Sequence, residues 1–320
     1  MKKIIILASL LLVQLAAHSW GFFGHRKINY YAVFLLPPEM MVLYKQNIEF
    51  ITEHATDPDK RRYAVSSEAP RHYMDIDDYG AYPYTNLPRK WNEAVAKFGE
   101  DSLNAHGIVP WWVQTMLGRL TAAFKEKNQA KILKYSAEIG HYIADAHVPL
   151  HASSNHNGQK SDQVGIHGFW ESRLPELLAD KQWDFFIGRA EYIEHPGDYI
   201  WARFLESAKA ADTVLTVEKK LSQSFSADQK FSFENRNGTT IRQYSTAYTV
   251  AYDKLMNGMV ERRMRQAIYT VASFWYTAWI NAGQPDLTKL SNKEFSAEDL
   301  REFEELNNQW KSGKIQGREE

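Results

Sequence analysis

The sequence predicts an all-α fold, a single-domain multi-helix bundle. Apolar residues recur every three or four positions from about Val109 to His147, and again from about Tyr244 to Ala282, which is the helical period. Alternating strand patterns are absent apart from a weak one near 231–242. No internal repeat and no linker rich in Gly, Ser or Pro divides the chain.

Taken in order, the chain opens with a segment that reads as a leader. Lys2 and Lys3 precede an apolar run from Ile4 to Ala17, too short to span a bilayer as a helix. Ala17-His18-Ser19 then puts small residues at the −3 and −1 positions, which predicts cleavage before Trp20. Residues 1–19 are therefore expected to be a signal peptide, and the mature protein to be exported to a periplasm or out of the cell.

Residues 26–50 look helical with a break at Pro37-Pro38, where Pro38 is suited to the first turn of the next helix. Residues 76–90 are rich in Asp, Tyr, Gly and Pro and read as a loop. Leu117, Leu120, Ala123 and Phe124, then Ile132, Leu133 and Tyr135, give the 109–147 segment its apolar stripe. The stretch ASSNHNGQKSDQVG at 152–165 is polar and irregular, and helical patterns resume near His167. The segment from 244 to 282, with Gly258 as a joint, carries Phe274, Trp275, Trp279 and Ile280 on a stripe expected to be core. The working domain is expected over 20–300, followed by a polar tail over 301–320 whose end, KSGKIQGREE, should fray.

Composition narrows the chemistry. With 44 % apolar and 24 % charged residues among 320, the chain is ordinary for a globular protein. Its formal charge is −1, and −3 once Lys2 and Lys3 are removed, so no global basic surface argues for nucleic-acid binding. Metal ions could hold phosphates instead. There is no cysteine, which excludes disulfides, thiolate metal sites and cysteine nucleophiles.

The informative stretch is HYIADAHVPLH at 141–151. His141 and Asp145 are four apart, so a helix presents both on one face. Pro149 should end that helix and turn His151 elsewhere. His167 and Glu171 repeat the same spacing in IHGFWESRLPELL. Asp57 in TDPD and His72 in PRHYMD add two more donors. WGFFGH at 20–25 adds His25 and, after cleavage, the α-amine and carbonyl of Trp20 as a five-membered chelate. Either i, i+4 pair alone would more often be a surface ion pair. Together they make five histidines, three carboxylates and a chelating terminus, all nitrogen and oxygen donors, a set that suits zinc better than calcium or magnesium. With one carboxylate shared, nine groups serve three ions, an arrangement used for hydrolysis. His147 points about 160° away from the His141–Asp145 face of a helix. His54, His106, His156 and His195 match no ligand pattern.

In the order of these motifs the chain resembles the superfamily of bacterial zinc-dependent phospholipases C and S1/P1 nucleases. The resemblance implies the helical fold of that type and three zinc ions. Asp57, His72, His141 and Asp145 would hold the first. Trp20, His25 and the bridging Asp145 would hold the second, and His151, His167 and Glu171 the third. It further implies a zinc-bound hydroxide between the ions sharing Asp145, with Asp57 as a general base. The close WGxxGH spacing and HYMD at 72–75 resemble the nucleases, whereas Ala55-Thr56-Asp57 replaces their Trp-Ala-Asp signature. Glu171 and the 16-residue step from His151 to His167 resemble the phospholipases, toward which the sequence leans. The substrate is then a phospholipid, or alternatively single-stranded nucleic acid. A binding protein with a degenerate zinc site is a third reading. Tyr73 and Asp75 are candidates to face substrate, against the competing reading that one packs in the core and the other caps a turn. No protein partner is implied, and a monomer is expected.

Overall fold

A computed structural model of the chain describes residues 21–236, 238–290 and 293–312. Trp20, the expected signal peptide and the last eight residues lie outside the described residues. Helix α1 (Gly21–Val33) is followed by α2 (Pro38–Gln46) and α3 (Ile48–Glu53), with Pro38 opening α2 as the break at Pro37-Pro38 required. A short α4 (Asp57–Arg61) leads into turns, then α5 (Trp91–Phe98) and α6 (Glu100–His106). The long pair α7 (Val109–Lys125) and α8 (Gln129–Asp145) forms the centre, joined by a three-residue turn and capped at Asn128, whose side chain accepts from the Lys131 amide.

Beyond α8 a 3₁₀ turn (Pro149–Ala152) carries His151. The brief α9 (Ile166–Gly168) runs through a π-helical turn (Phe169–Arg173) into α10 (Leu174–Gln182). Then come α11 (Pro196–Ser222), α12 (Ala227–Lys230), a two-stranded antiparallel hairpin of β1 (Phe231–Arg236) and β2 (Thr239–Tyr244), α13 (Thr246–Leu255), α14 (Met259–Asn281) and α15 (Ala297–Ser312). The weak alternation near 231–242 is this hairpin. It lies against the π-turn, with Tyr244 stacked 4.0 Å from Phe169 and Arg173 bound to Glu234 at 2.6 Å.

The core forms where α14 and α1 cross α7 and α8. Leu120, Phe124, Ile132, Phe274 and Trp275 are all buried there, so the aromatic stripe of 274–280 is packing and not a binding face. The segment expected as a polar tail from 301 is helical to Ser312. Phe303 packs on Phe50 and His54, and Leu306 is buried, which gives this otherwise polar helix one apolar side. Among the described residues, no helix is long and apolar enough to cross a membrane.

Candidate metal centre

Two glycines let the site-bearing segments approach. A Cβ on Gly140, next to His141, would stand 2.0 Å from the Asn29 side-chain oxygen. Asn29 lies one turn after His25, and its amide donates to Ile51 and Ala137 carbonyls at 3.2 and 3.0 Å. Contact between α1 and α8 at this point therefore seats His25 against His141, their rings stacked at 3.7 Å. Gly107 has φ +90°, and a Cβ there would meet the Tyr73 carbonyl oxygen at 2.2 Å, so the turn before α7 lies directly on the strand of chain holding His72.

Around the end of α8 the donors converge. His141 Nε2 is 3.0 Å from His72 Nδ1, 3.2 Å from Asp145 Oδ2 and 3.7 Å from Asp59 Oδ1. His72 Nδ1 is 3.0 Å from Asp145 Oδ2 and 3.8 Å from Asp59 Oδ1. The other carboxylate oxygen of Asp145 faces away to His25 Nε2 at 3.4 Å. One oxygen of Asp145 thus meets His72 and His141 and the other meets His25, in two groups that share His141. A third group joins His151, His167 and Glu171: the two Nε2 atoms are 3.2 Å apart, and Glu171 Oε2 is 3.0 Å from that of His167 and 3.6 Å from that of His151. Every one of these side chains is buried.

The protonation pattern is set by the backbone. His141 Nδ1 donates to the Ala55 carbonyl at 2.8 Å, His151 Nδ1 to that of His72 at 2.6 Å, and His167 Nδ1 to that of His156 at 3.1 Å. Each neutral ring so fixed carries its lone pair on Nε2, the atom aimed into the cluster. Lone pairs and carboxylate oxygens pointed at one another repel, and a cation between them turns the arrangement favourable. Tetrahedral zinc, with bonds of about 2.0–2.2 Å, spaces its ligand atoms about 3.3–3.6 Å apart, close to the separations seen. The residues present therefore fit zinc. Burial opposes charge on Asp145, yet His141 and His151 hold its carboxyl well below the usual range. Burial and then His141 push His25 down. Burial also opposes a charged His72, but Asp145 and Glu68 hold it up at about 9, so the ring sits where positive charge is favoured.

Not every expected residue arrives. Asp57 lies outside the cluster, and its place is taken by Asp59. The cause is local: Asp57 Oδ2 binds His54 Nδ1 at 2.5 Å and its Oδ1 accepts from Lys60 at 2.9 Å, partners three residues to either side. Two positions further on, Asp59 points to the opposite side of α4, toward His72 and His141. Tyr73 is buried under Gly107, so it packs in the core. Asp75 is half-buried beside Asp78 and His106, away from the cluster, and opens a 3₁₀ turn without a side-chain cap bond. His147, in the turn after α8, is buried against α14, its ring 3.3 Å from the Thr270 hydroxyl and its carbonyl accepting from Arg263. Trp20 lies outside the described residues, one position before α1. Helix α8 ends at Asp145, ahead of Pro149, which instead opens the turn bearing His151.

The family model described as S1/P1 Nuclease matches residues 20–277, most of the chain and all of the donors above. No curated protein matches it.

Proposed function

The chain belongs to the S1/P1 nuclease family, within the zinc-dependent phospholipase C/P1 nuclease superfamily, and from that premise we propose that it is an exported zinc phosphodiesterase cutting single-stranded nucleic acid. The family makes it a phosphoric diester hydrolase. The observation that carries the zinc phosphodiesterase reading is Asp145, one oxygen of which meets His72 and the other His25, and it is the nuclease family match that favours nucleic acid as the substrate. Asp59, His72, His141 and Asp145 would hold one zinc. His25 and Asp145, with the terminal amine and carbonyl of Trp20, would hold a second, and His151, His167 and Glu171 a third. Zinc bound there would supply Lewis acidity, neutralise phosphate charge and lower the pKa of water.

The chain's own residues hold the geometry. Asp145 ties the two groups together and keeps its charge in a buried site. The three backbone-anchored histidines cannot turn their lone pairs away. Asp59 takes over the ligand and general-base roles expected of Asp57. Removal of residues 1–19 frees the Trp20 amine, and the mature protein acts as a monomer outside the cytoplasm.

A phospholipid substrate is the second reading. It is favoured by Glu171, a glutamate set in the widened π-turn, and by the short step from His151 to His167. Asp145→Asn tests the shared core of both. We expect it to lose two of three zinc ions and at least about 10²-fold in phosphodiester hydrolysis. Full zinc content with full activity in that variant would overturn the assignment.

A further inference from the structure

His72 is held unlike its neighbours. The other anchored histidines give Nδ1–H to a backbone carbonyl and present Nε2, whereas His72 presents Nδ1 to the donor group and turns Nε2 the other way. There it meets Glu68 Oε1 at 3.5 Å, an electrostatic contact loosely aligned as a hydrogen bond. No closer acceptor reaches Nε2 among the described residues.

Glu68 is fully buried, which is costly for a carboxylate unless partners surround it. They do. The Tyr142 hydroxyl donates to Oε1. Arg71 Nη1 donates to Oε2 at 2.5 Å, and Arg61 Nε lies 3.9 Å from the same oxygen. Arg61 is itself fixed by Glu138 at 2.6 Å and approaches Glu302 of α15 at 3.8 Å. The carboxylate is thus immobilised before any metal arrives, with one oxygen aimed at the back of His72. Glu68 belongs to none of the three donor groups.

We propose that Glu68 is a positioning residue: it takes the Nε2–H of His72, and so fixes the tautomer and ring angle that leave the Nδ1 lone pair facing Asp59, His141 and Asp145. This rests on the zinc reading of that group. A carboxylate behind a ligating histidine orients the ring and raises its basicity, and losing it weakens metal binding by about 10–100-fold. Helix α15 lies outside the family match at 20–277, so Glu302 braces this arrangement with a part of the chain the match does not cover.

Zinc affinities of the mature protein, measured by chelator competition alongside the thermal midpoint of the metal-free form, test it. Glu68→Gln should weaken one of the zinc sites about 10–100-fold and leave the others within about twofold. Cobalt substitution should show an altered absorption band for that site. Glu68→Asp keeps the charge between the two arginines but withdraws it from His72, so it should show the same single-site loss even if the glutamine variant does not fold. Glu138→Gln breaks the same buried network away from His72 and should leave all sites unchanged. Equal weakening by Glu138→Gln would make the network mere scaffolding and overturn the proposal. Wild-type zinc binding with unchanged affinities in both Glu68 variants would overturn this proposal alone. A wild-type protein that takes up no zinc would overturn it together with the zinc reading.

Discussion

At the scale of single residues, the difference between Asp57 and Asp59 shows what spacing conveys and what it omits. The pairs His141/Asp145 and His167/Glu171 are legible because one helical turn maps i to i+4, and both arrive in the cluster. TDPD offers two carboxylates two positions apart, and only one can face inward. The deciding fact was local: His54 and Lys60 flank Asp57 at three residues on either side and claim it. Asp59→Asn should therefore remove one zinc ion and cost at least about 10²-fold in hydrolysis, read by metal analysis and assay. Asp57→Asn should keep its zinc but lose about 1–3 kcal/mol of stability, read by denaturant unfolding. Acid dependence follows with a definite sign. Burial opposes charge on Asp57, but His54 and Lys60 hold its carboxyl below the ordinary 3.8. Its stabilisation is thus present above about pH 4 and lost as pH falls below that value. Stability of Asp57→Asn should fall less steeply there than that of the wild type, and parallel curves would contradict the pairing.

At the scale of elements, the periodic segments were readable and the marginal ones were not. The stripe through α7 and α8 and the aromatic side of α14 are buried as their spacing implies. Helix α11 is hard to read from sequence, because polar residues dilute over 27 positions the stripe of Ile200, Phe204, Ala211, Val214 and Leu221 that gives it a buried side. Helix α15 reads as a tail because few apolar residues interrupt its charges, and what Phe303 and Trp310 pack against is far away in sequence: Phe50, His54 and Phe22. Ending the chain at residue 296 should leave a folded, less stable protein with reduced zinc at the Asp59 site, read by thermal unfolding and metal analysis. The α1–α8 approach gives a sharper test. Gly140→Ala puts a methyl 2.0 Å from Asn29 Oδ1 and should cost about 1–3 kcal/mol while moving His25 off Asp145. Unchanged stability and zinc content would show that α1 yields without consequence.

At the scale of the whole molecule, the chain binds its helices without disulfides. The donors come from α1, α4, α8, α9 and the three turns bearing His72, His151 and Glu171, so ions placed among them would fasten segments that are distant in sequence. Chelation should accordingly lower the thermal midpoint, and zinc should restore it. The substrate is the part that neither helical periodicity nor ligand spacing encodes, since it depends on surfaces beside the cluster and not on the donors. The most direct measurement offers single-stranded DNA, single-stranded RNA and phosphatidylcholine vesicles in parallel to the zinc-loaded protein beginning at Trp20, each with a chelated control. Chelator-sensitive release of nucleotides is the predicted result, and release of diacylglycerol instead would move the protein to the phospholipase reading. A zinc-loaded protein that cleaves none of the three would contradict the phosphodiesterase account.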